Sequence, residues 1–579
     1  MKMKIRHTFF PTFACFLCLG LICFFLMQAA PMPAALADSP SAAERVYLSD
    51  LPLKSSTVPD GDQVYIDTTW AGGKITVGNA VYDKGISMHP VSPEKPAEAV
   101  YDISGLGYTR FTAAAGKDKS AGRDVGGDAG IQDTQTGFEV YVDGVKKAES
   151  GNLPYPLAYL VDIDITNAKE LKLVVTDGGD GLFCDASSFA DAILTKEPDL
   201  NADRTYLSSL SPVRTVVPDG DSLYCDTTWS GSKITVGTMV YEKGISMHPV
   251  SGEAPAEAVY NIGGAGYTRF TAIVGKDRSA GAQAGQDLIY KTQAGFEVWV
   301  DGVKKAESGN LPYPYIYAFD VDLTGAQELK LVVTDGGDGL FCDASSFADA
   351  ALWKEGTAEA DSISLNSLKE ISFDVDGGTL YQDTTWLSQK IAVGRRVYEK
   401  GISMAPKADS PAEVVYNIEN LGYTTFTATV GKDRTAGLQL PNGDDGIIGS
   451  RVAFEVYVDG VKKAESGILP YPCTYRFCVD VTGAKTLKLV VTDGGDGIFC
   501  DTSSYADPVL SKQTPASADP EQTQPTEPAN PVSGDAALLT AAAALCLCLT
   551  APRIFRKTQT FHSAALKACI YTGKARGLP

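Results

Sequence analysis

Histidine is scarce in this chain: its 579 residues contain four, and His7 and His562 stand near the termini, leaving His89 and His248 in the body of the sequence. No His-Glu-x-x-His, Gly-x-Ser-x-Gly, Gly-x-Gly-x-x-Gly or Walker-type loop occurs, so a metalloprotease, an α/β-hydrolase or a nucleotide-dependent enzyme would lack its required parts. Paired carboxylates for glycoside hydrolysis stay open, because acidic residues are plentiful and their separation in space is not readable. Positive charge is also short, with 50 Lys and Arg against 71 Asp and Glu, a formal charge of −21 at pH 7. Spread along the chain, that charge repels polyanions, and nucleic acid is not an expected partner. Helical periodicity is missing too. No long stretch carries an apolar stripe at helical spacing, which points to an all-β class.

The twelve cysteines suggest a disulfide framework until they are placed. Cys15, Cys18 and Cys23 fall in a segment with a basic start (Lys2, Lys4, Arg6), an apolar run from Phe9 to Met27 and the small-x-small Ala35-Leu36-Ala37. This is the pattern of a signal peptide over 1–37, with an uncleaved anchor as the alternative. Cys546, Cys548 and Cys569 lie in the C-terminal tail. Of the other six, Cys184, Cys342 and Cys500 hold one equivalent position and are expected as buried free thiols. Cys225 with Cys342, and Cys473 with Cys478, could pair inside their own domains.

What the chain has in abundance is repetition. The fifteen residues Leu171–Asp185 return nearly unchanged at Leu329–Asp343 and Leu487–Asp501, each time after 158 residues. That interval is too long for a solenoid and marks whole domains in tandem: module one over 43–198, module two over 203–355 and module three over 361–512. Each is long enough to bury its own core, and the short polar joints leave little freedom between them. In module one, period-two patterns predict strands over Ala97–Ile103, Tyr108–Ala115, Phe138–Val142, Tyr159–Ile165 and Leu171–Thr176, with Val140 and Val142 facing the core. So many strands with long loops favour a two-sheet antiparallel sandwich of jelly-roll type.

Beyond the modules, 513–535 reads as a Pro/Thr-rich spacer, 536–552 as an apolar segment and 553–579 as a basic tail that begins with Arg553, Arg556 and Lys557. Asn530, Pro531, Val532, Ser533 and Gly534, followed by the apolar run and positive charge, resemble the cell-wall sorting signals of Gram-positive surface proteins. That resemblance implies cleavage by a sortase and attachment to peptidoglycan; the alternative is a plain membrane anchor, although the run is short for a crossing. Either way the modules are expected outside the cell, on its surface.

Several motifs together carry a second resemblance: Tyr47-Leu48-Ser49-Asp50-Leu51, Lys84-Gly85-Ile86-Ser87-Met88-His89, Gly107-Tyr108-Thr109-Arg110-Phe111, Ala115-Gly116-Lys117-Asp118, Phe138 through Gly144, and Asp185 through Ala192. In this order, over nearly all of each module and three times over, they resemble the NPCBM domain, a family that includes carbohydrate-binding modules attached to family 98 glycoside hydrolases. The resemblance implies a galactose-binding-like sandwich, often with a structural calcium, that binds galactose-containing or blood-group glycans through loops at one end. The closing motif departs from the family, since Asp185 is followed here by Ala186-Ser187-Ser188-Phe189.

Sugar sites pair an aromatic face with a few polar groups that fix the hydroxyls. Trp70, Trp229 and Trp386 supply one tryptophan per module, and His89, His248, Arg110 and Arg269 are candidate hydroxyl partners. Each has a structural alternative: a core tryptophan, a satisfied loop histidine, a surface ion pair. Module three has Ala405 and Thr425 where the others have histidine and arginine, so weaker binding or a spacer role is expected there. The acidic turns, with Asp177, Asp180 and Asp185 in module one and Asp335, Asp338 and Asp343 in module two, offer hard oxygens suited to calcium, although such turns need aspartate for local hydrogen bonds in any case. Tandem copies favour binding over turnover. The expected function is non-catalytic glycan binding; decayed spacer repeats and an unrecognised glycoside hydrolase are the alternatives.

Overall fold

The computed structural model describes residues 45–512 apart from 133, 197–203, 283–284, 291, 355–361 and 441–442. The targeting segment, the 530–534 pentapeptide, the apolar run and the tail lie outside the described residues. Each module contributes thirteen strands. In module one these are β1 (Arg45–Tyr47), β2 (Leu53–Thr57), β3 (Tyr65–Ile66), β4 (Ile75–Val77), β5 (Ala80–Tyr82), β6 (Gly85–Met88), β7 (Ala97–Asp102), β8 (Arg110–Lys117), β9 (Gln135–Val142), β10 (Val145–Pro154), β11 (Ala158–Asp164), β12 (Glu170–Thr176) and β13 (Ser187–Thr195). One sheet runs β3-β6-β13-β8-β11, with β1 also on β13; the other runs β10-β9-β12-β7-β2. The result is the antiparallel sandwich that the alternating patterns call for.

The core lies between the sheets. Alternation in β9 turns Phe138, Val140 and Val142 inward, where Phe138 meets Phe189 of β13 edge-on at 5.4 Å between ring centroids. Modules two and three repeat the contact with Phe296–Phe347 and Phe454–Tyr505. Tyr505 adds a hydroxyl to an apolar core, where it lies 2.8 Å from Val490 O and 2.9 Å from Glu455 O, with its one proton between them, and accepts from Val490 N at 3.2 Å, which offsets the cost of burying it.

The β4–β5 hairpin couples the modules. It lies across the outer face of its own large sheet, which explains why β8 is buried on both faces. The residues below it are small: a Cβ on Gly116 would come within 2.7 Å of Val77 Cγ1 and 3.0 Å of Leu157 O. The outer strand of each hairpin then adds, in parallel, to the large sheet of another module. Module two's hairpin, β17 (Ile234–Val236) and β18 (Met239–Tyr241), extends module one, with Ala158 opposite Met239 and Tyr159 opposite Val240. Module three's hairpin does the same on module two, with Ile316 opposite Arg396, and module one's hairpin on module three, with Thr474 opposite Ala80. The three seams therefore close a ring. Each is sealed alike: a backbone N–H of the receiving strand donates to the hairpin turn (Ala158 to Thr238 O at 2.7 Å, Ile316 to Arg395 O at 3.0 Å, Thr474 to Asn79 O at 2.9 Å). A tyrosine then donates to a hairpin carboxylate: Tyr159 to Glu242 at 2.5 Å, Tyr317 to Glu399 at 2.6 Å, and Tyr475 to Asp83.

Each module keeps its own core, but packing is shared across the joints. Val240, from module two, sits in the core of module one, and Val397 and Val81 pack on the cores of modules two and three. The six described cysteines are all free. Cys473 and Cys478 are five positions apart along an extended segment, roughly 16 Å, too far to pair. Cys184, Cys342 and Cys500 are half-buried rather than buried. Replacing Val240 by alanine removes apolar contact from a core to which its own module does not belong. The variant is expected to lose about 1–3 kcal/mol of stability, with hydrogen-exchange protection falling in residues 158–164 of module one.

Candidate functional site

Strands β6, β8 and β13 end together at one pole of each sandwich, since Met88 and Lys117 both flank Ser187. The dipeptide at the end of β8 organises this pole. The Lys117 side chain, fully buried, places Nζ 2.9 Å from Asp185 Oδ1 and donates to Thr134 Oγ1 at 2.7 Å. Asp118, equally buried, accepts from Thr76 N on the hairpin, Ser120 N on the following loop and Ser188 Oγ on β13, at 2.9, 2.8 and 3.2 Å. Lys276–Asp277 and Lys432–Asp433 repeat the arrangement. One dipeptide thus fixes hairpin, loops and closing strand.

The acidic turn is tied to the same pole. Asp180 Oδ2 accepts from Gln135 N at 2.8 Å, and Asp177 accepts from Gly179 N and Gly181 N at 3.2 and 3.3 Å. Asp338 and Asp335 make the corresponding bonds to Gln293 N and Gly337 N, at 3.0 Å each. With Asp185 and Asp343 held by lysines, these carboxylates do not converge on a cation, and among the described residues no group of three or more His, Cys, Asp or Glu is arranged to hold a metal. The donor set does not fit the calcium expectation. The turn instead presents an apolar tip: Phe183, Phe341 and Phe499 are 57, 54 and 64% exposed, each beside an exposed Leu182, Leu340 or Ile498. Cys184, at φ 59°, turns the chain back toward the small cluster around Tyr155, Ala121 and Ile131.

The residues singled out by sequence divide between two ends. The tryptophans lie at the loop pole: Trp229 packs one edge on the cluster of Ala280, Ile289, Tyr313 and Ala344, while Trp70 and Trp386 stay 36 and 39% exposed. The Arg123 guanidinium lies 5.7 Å above the Trp70 ring. His89 follows the last residue of β6 at the same pole, with Nε2 2.5 Å from Asp62 Oδ2; His248 pairs with Asp221. Arg110 and Arg269 do not join them. Arg110 opens β8 while Lys117 closes it, seven positions and roughly 23 Å away. It grips Asp162 with two bonds of 2.6 and 2.7 Å, and Arg204 from module two reaches the same carboxylate at 3.2 Å. Arg269 grips Asp320 similarly, at 2.7 and 2.5 Å. The grouping of tryptophan, histidine and arginine around one hollow is corrected: the arginines stand by the seams, where two clefts of about 660 and 450 Å³ also lie. Sequence reasoning missed Phe183, Phe341 and Phe499. The signal was present as an apolar pair straight after a Gly-rich turn, retained in every copy.

Architecture and pole together define a tandem array of jelly-roll sandwiches with loops gathered at one end. The NPCBM/NEW2 domain profile matches residues 44–195, 203–353 and 361–511, and the chain belongs to that family. Among solved structures, it is similar to the M60 catalytic domain with the CBM51-1 and CBM51-2 domains from Clostridium perfringens ZmpB, at 22% identity over 81% of this chain and 38% of that one, TM-score 0.23. It is also similar to the tandem CBM51 modules of the family 98 glycoside hydrolase from Streptococcus pneumoniae, at 25% identity over 54% of this chain and all (100%) of that one, TM-score 0.24. A third similar structure is CBM51 from Clostridium perfringens GH95 in complex with methyl-galactose, at 34% identity over 26% of this chain and 99% of that one, TM-score 0.23. The chain thus spans 38% of the length of the first of these. Among curated protein sequences none matches it.

Burial pushes the carboxyls of Asp185 and Asp343 up to about 7 and that of Asp501 up to about 6, against the pull of the paired lysines. The folded protein therefore keeps these protons to higher pH than the unfolded chain does. Their contribution to stability is full below about pH 4 and is lost as pH rises toward 7. The urea midpoint of the wild type, taken relative to Asp343→Asn, is expected to fall between about pH 4 and 7 and then level; a rise over that range would mean that Lys276 dominates.

Proposed function

We propose that the chain binds carbohydrate without cleaving it, through the loop pole of each sandwich, and that galactose-containing glycans are the ligand class. Membership of the NPCBM/NEW2 family supports the reading, and one observation carries it: each module holds out a phenylalanine, more than half exposed, on a turn tied by a backbone amide to its aspartate and closed by a buried lysine–aspartate contact. An exposed ring on a rigid loop suits the C–H face of a sugar, because stacking adds to affinity without the cost of ordering a flexible segment. Trp70 and Trp386, 36 and 39% exposed, add apolar surface at the same pole. The carboxylates of this pole are held by amides and lysines, which supports binding rather than acid–base turnover.

The third module takes part on this reading. It lacks the histidine and the arginine, yet it keeps Phe499 and Trp386, and the arginine position belongs to the seams in the other modules. We further propose that the modules are displayed on the cell surface, with peptidoglycan or the membrane holding the C-terminal segment.

The test is glycan-array and titration measurement on the full chain, with methyl galactoside as the soluble probe. Replacing Phe183, Phe341 and Phe499 together by alanine is expected to weaken binding about tenfold or more and to leave the melting temperature unchanged, since all three side chains are exposed. Arg269→Ala is expected to leave binding intact. Unaltered binding in the phenylalanine variant, or its loss in Arg269→Ala, would refute this assignment.

A further inference from the structure

The loop poles do more than repeat; they touch. Tyr315 Oη of module two lies 2.9 Å from Tyr471 Oη of module three, and the Arg434 guanidinium of module three covers the Tyr315 ring at 4.4 Å. Lys119 Nζ of module one lies 3.9 Å from Cys473 Sγ of module three, and Thr238 Oγ1 in the hairpin turn of module two donates to Gly78 O in that of module one at 2.9 Å. Tyr471 and Cys473 flank Pro472, and Tyr315 follows Pro314, in the loops against which each acidic turn packs. Since each seam repeats the same head-to-tail relation and the third returns to the start, the modules are related by an approximate threefold axis, and their poles are equivalent about it.

We propose that the three poles form one trivalent surface that recognises closely clustered saccharide chain ends in preference to isolated ones. This rests on the saccharide reading of the poles given above. Three sites on flexible linkers gain avidity only at the low effective concentration the linkers allow. Three sites locked by shared sheets hold one spacing, so a matching cluster engages all of them without further ordering.

Two measurements on the full chain test this. Apparent affinity is compared on surfaces bearing galactose-terminated chains at low and high density, with free methyl galactoside as the monovalent reference. The high-density surface is expected to bind 10²- to 10⁴-fold more tightly than the free sugar. Val81→Asp, which places a charge where module one's hairpin packs on module three, is expected to cut that gain at least tenfold while leaving the affinity for free galactoside unchanged. An undiminished gain in Val81→Asp, or free sugar bound with no density gain in the wild type, overturns the single-surface inference alone. Failure to bind galactoside or the surfaces at all overturns the saccharide reading and this inference with it. The second measurement needs no substitution within the seams: a protease site is placed within 355–361 and cut. The two pieces are expected to co-elute, held by two seams; separation at micromolar concentration overturns the fixed ring.

Discussion

The buried lysine–aspartate contact at the end of β8, with the aspartate next to that lysine, is the constraint on which the other features rest. An ammonium and a carboxylate taken out of water cost more than their mutual attraction returns unless further hydrogen bonds complete the set. Lys117 meets that condition through Asp185 and Thr134, and Asp118 through two backbone amides and a hydroxyl. The partners come from the hairpin, the loop after β8, the acidic turn and β13, so satisfying one buried pair fixes the relative position of segments more than a hundred residues apart. Among the described residues Asp185 Oδ2 is buried without a protein partner, and its equivalents in Asp343 and Asp501 share that state. Burial raises the pKa of this carboxyl despite the lysine beside it, and an oxygen with no donor facing it does nothing to oppose the protonated form.

Ring closure follows from that pin. Asp118 accepts from Thr76 on β4, so the hairpin is held flat on its own sheet, and its outer strand has unpaired edge groups facing away. An exposed edge is a template for another strand, and a sheet edge left open is normally blunted by charge or covered. Here β11 and its counterparts accept the next hairpin, and the covered edge brings a tyrosine, a hairpin carboxylate and a hairpin lysine together at every seam. Local stability is thus shared: the outermost strands of one module are secured by residues of another.

The fold was legible to the extent that it is written in period two. The strands read from sequence over 97–103, 108–115, 138–142, 159–165 and 171–176 match β7, β8, β9, β11 and β12 within a few positions, because each has one face on the core. Strand β10 escaped notice since Val145 to Pro154 is mostly polar and lies at a sheet edge. The hairpin escaped for the opposite reason: Ile75, Val77 and Tyr82 are apolar, but nothing local reveals that they pack on a sheet's outer face and then on another module. The candidate site was only half legible. Tryptophan and histidine fall at the loop pole as the motif order suggests, but arginine falls at the far end, because a strand carries its first and last residues to opposite sides of the molecule and sequence proximity to a motif does not say which.

The seam clefts are less suited to a ligand than their volume suggests. At about 660 Å³ the first is large enough for a small saccharide, and it is lined by tyrosines and charges. Yet those charges answer one another: Asp162 is held by Arg110 and Arg204, and Glu242 by Tyr159 and Lys233. A ligand entering there would have to displace bonds already made across a joint that keeps two modules together, so each hydrogen bond it formed would weaken the seam. At the loop pole the lysines and aspartates are bonded toward the interior, and what faces outward includes the exposed rings of Phe183, Phe341 and Phe499. A sugar's C–H face asks for just that, while its hydroxyls keep their water at the rim. The division follows from placing the buried pairs at the strand ends: polar groups organise the pole from within and leave its outer surface free for an apolar contact.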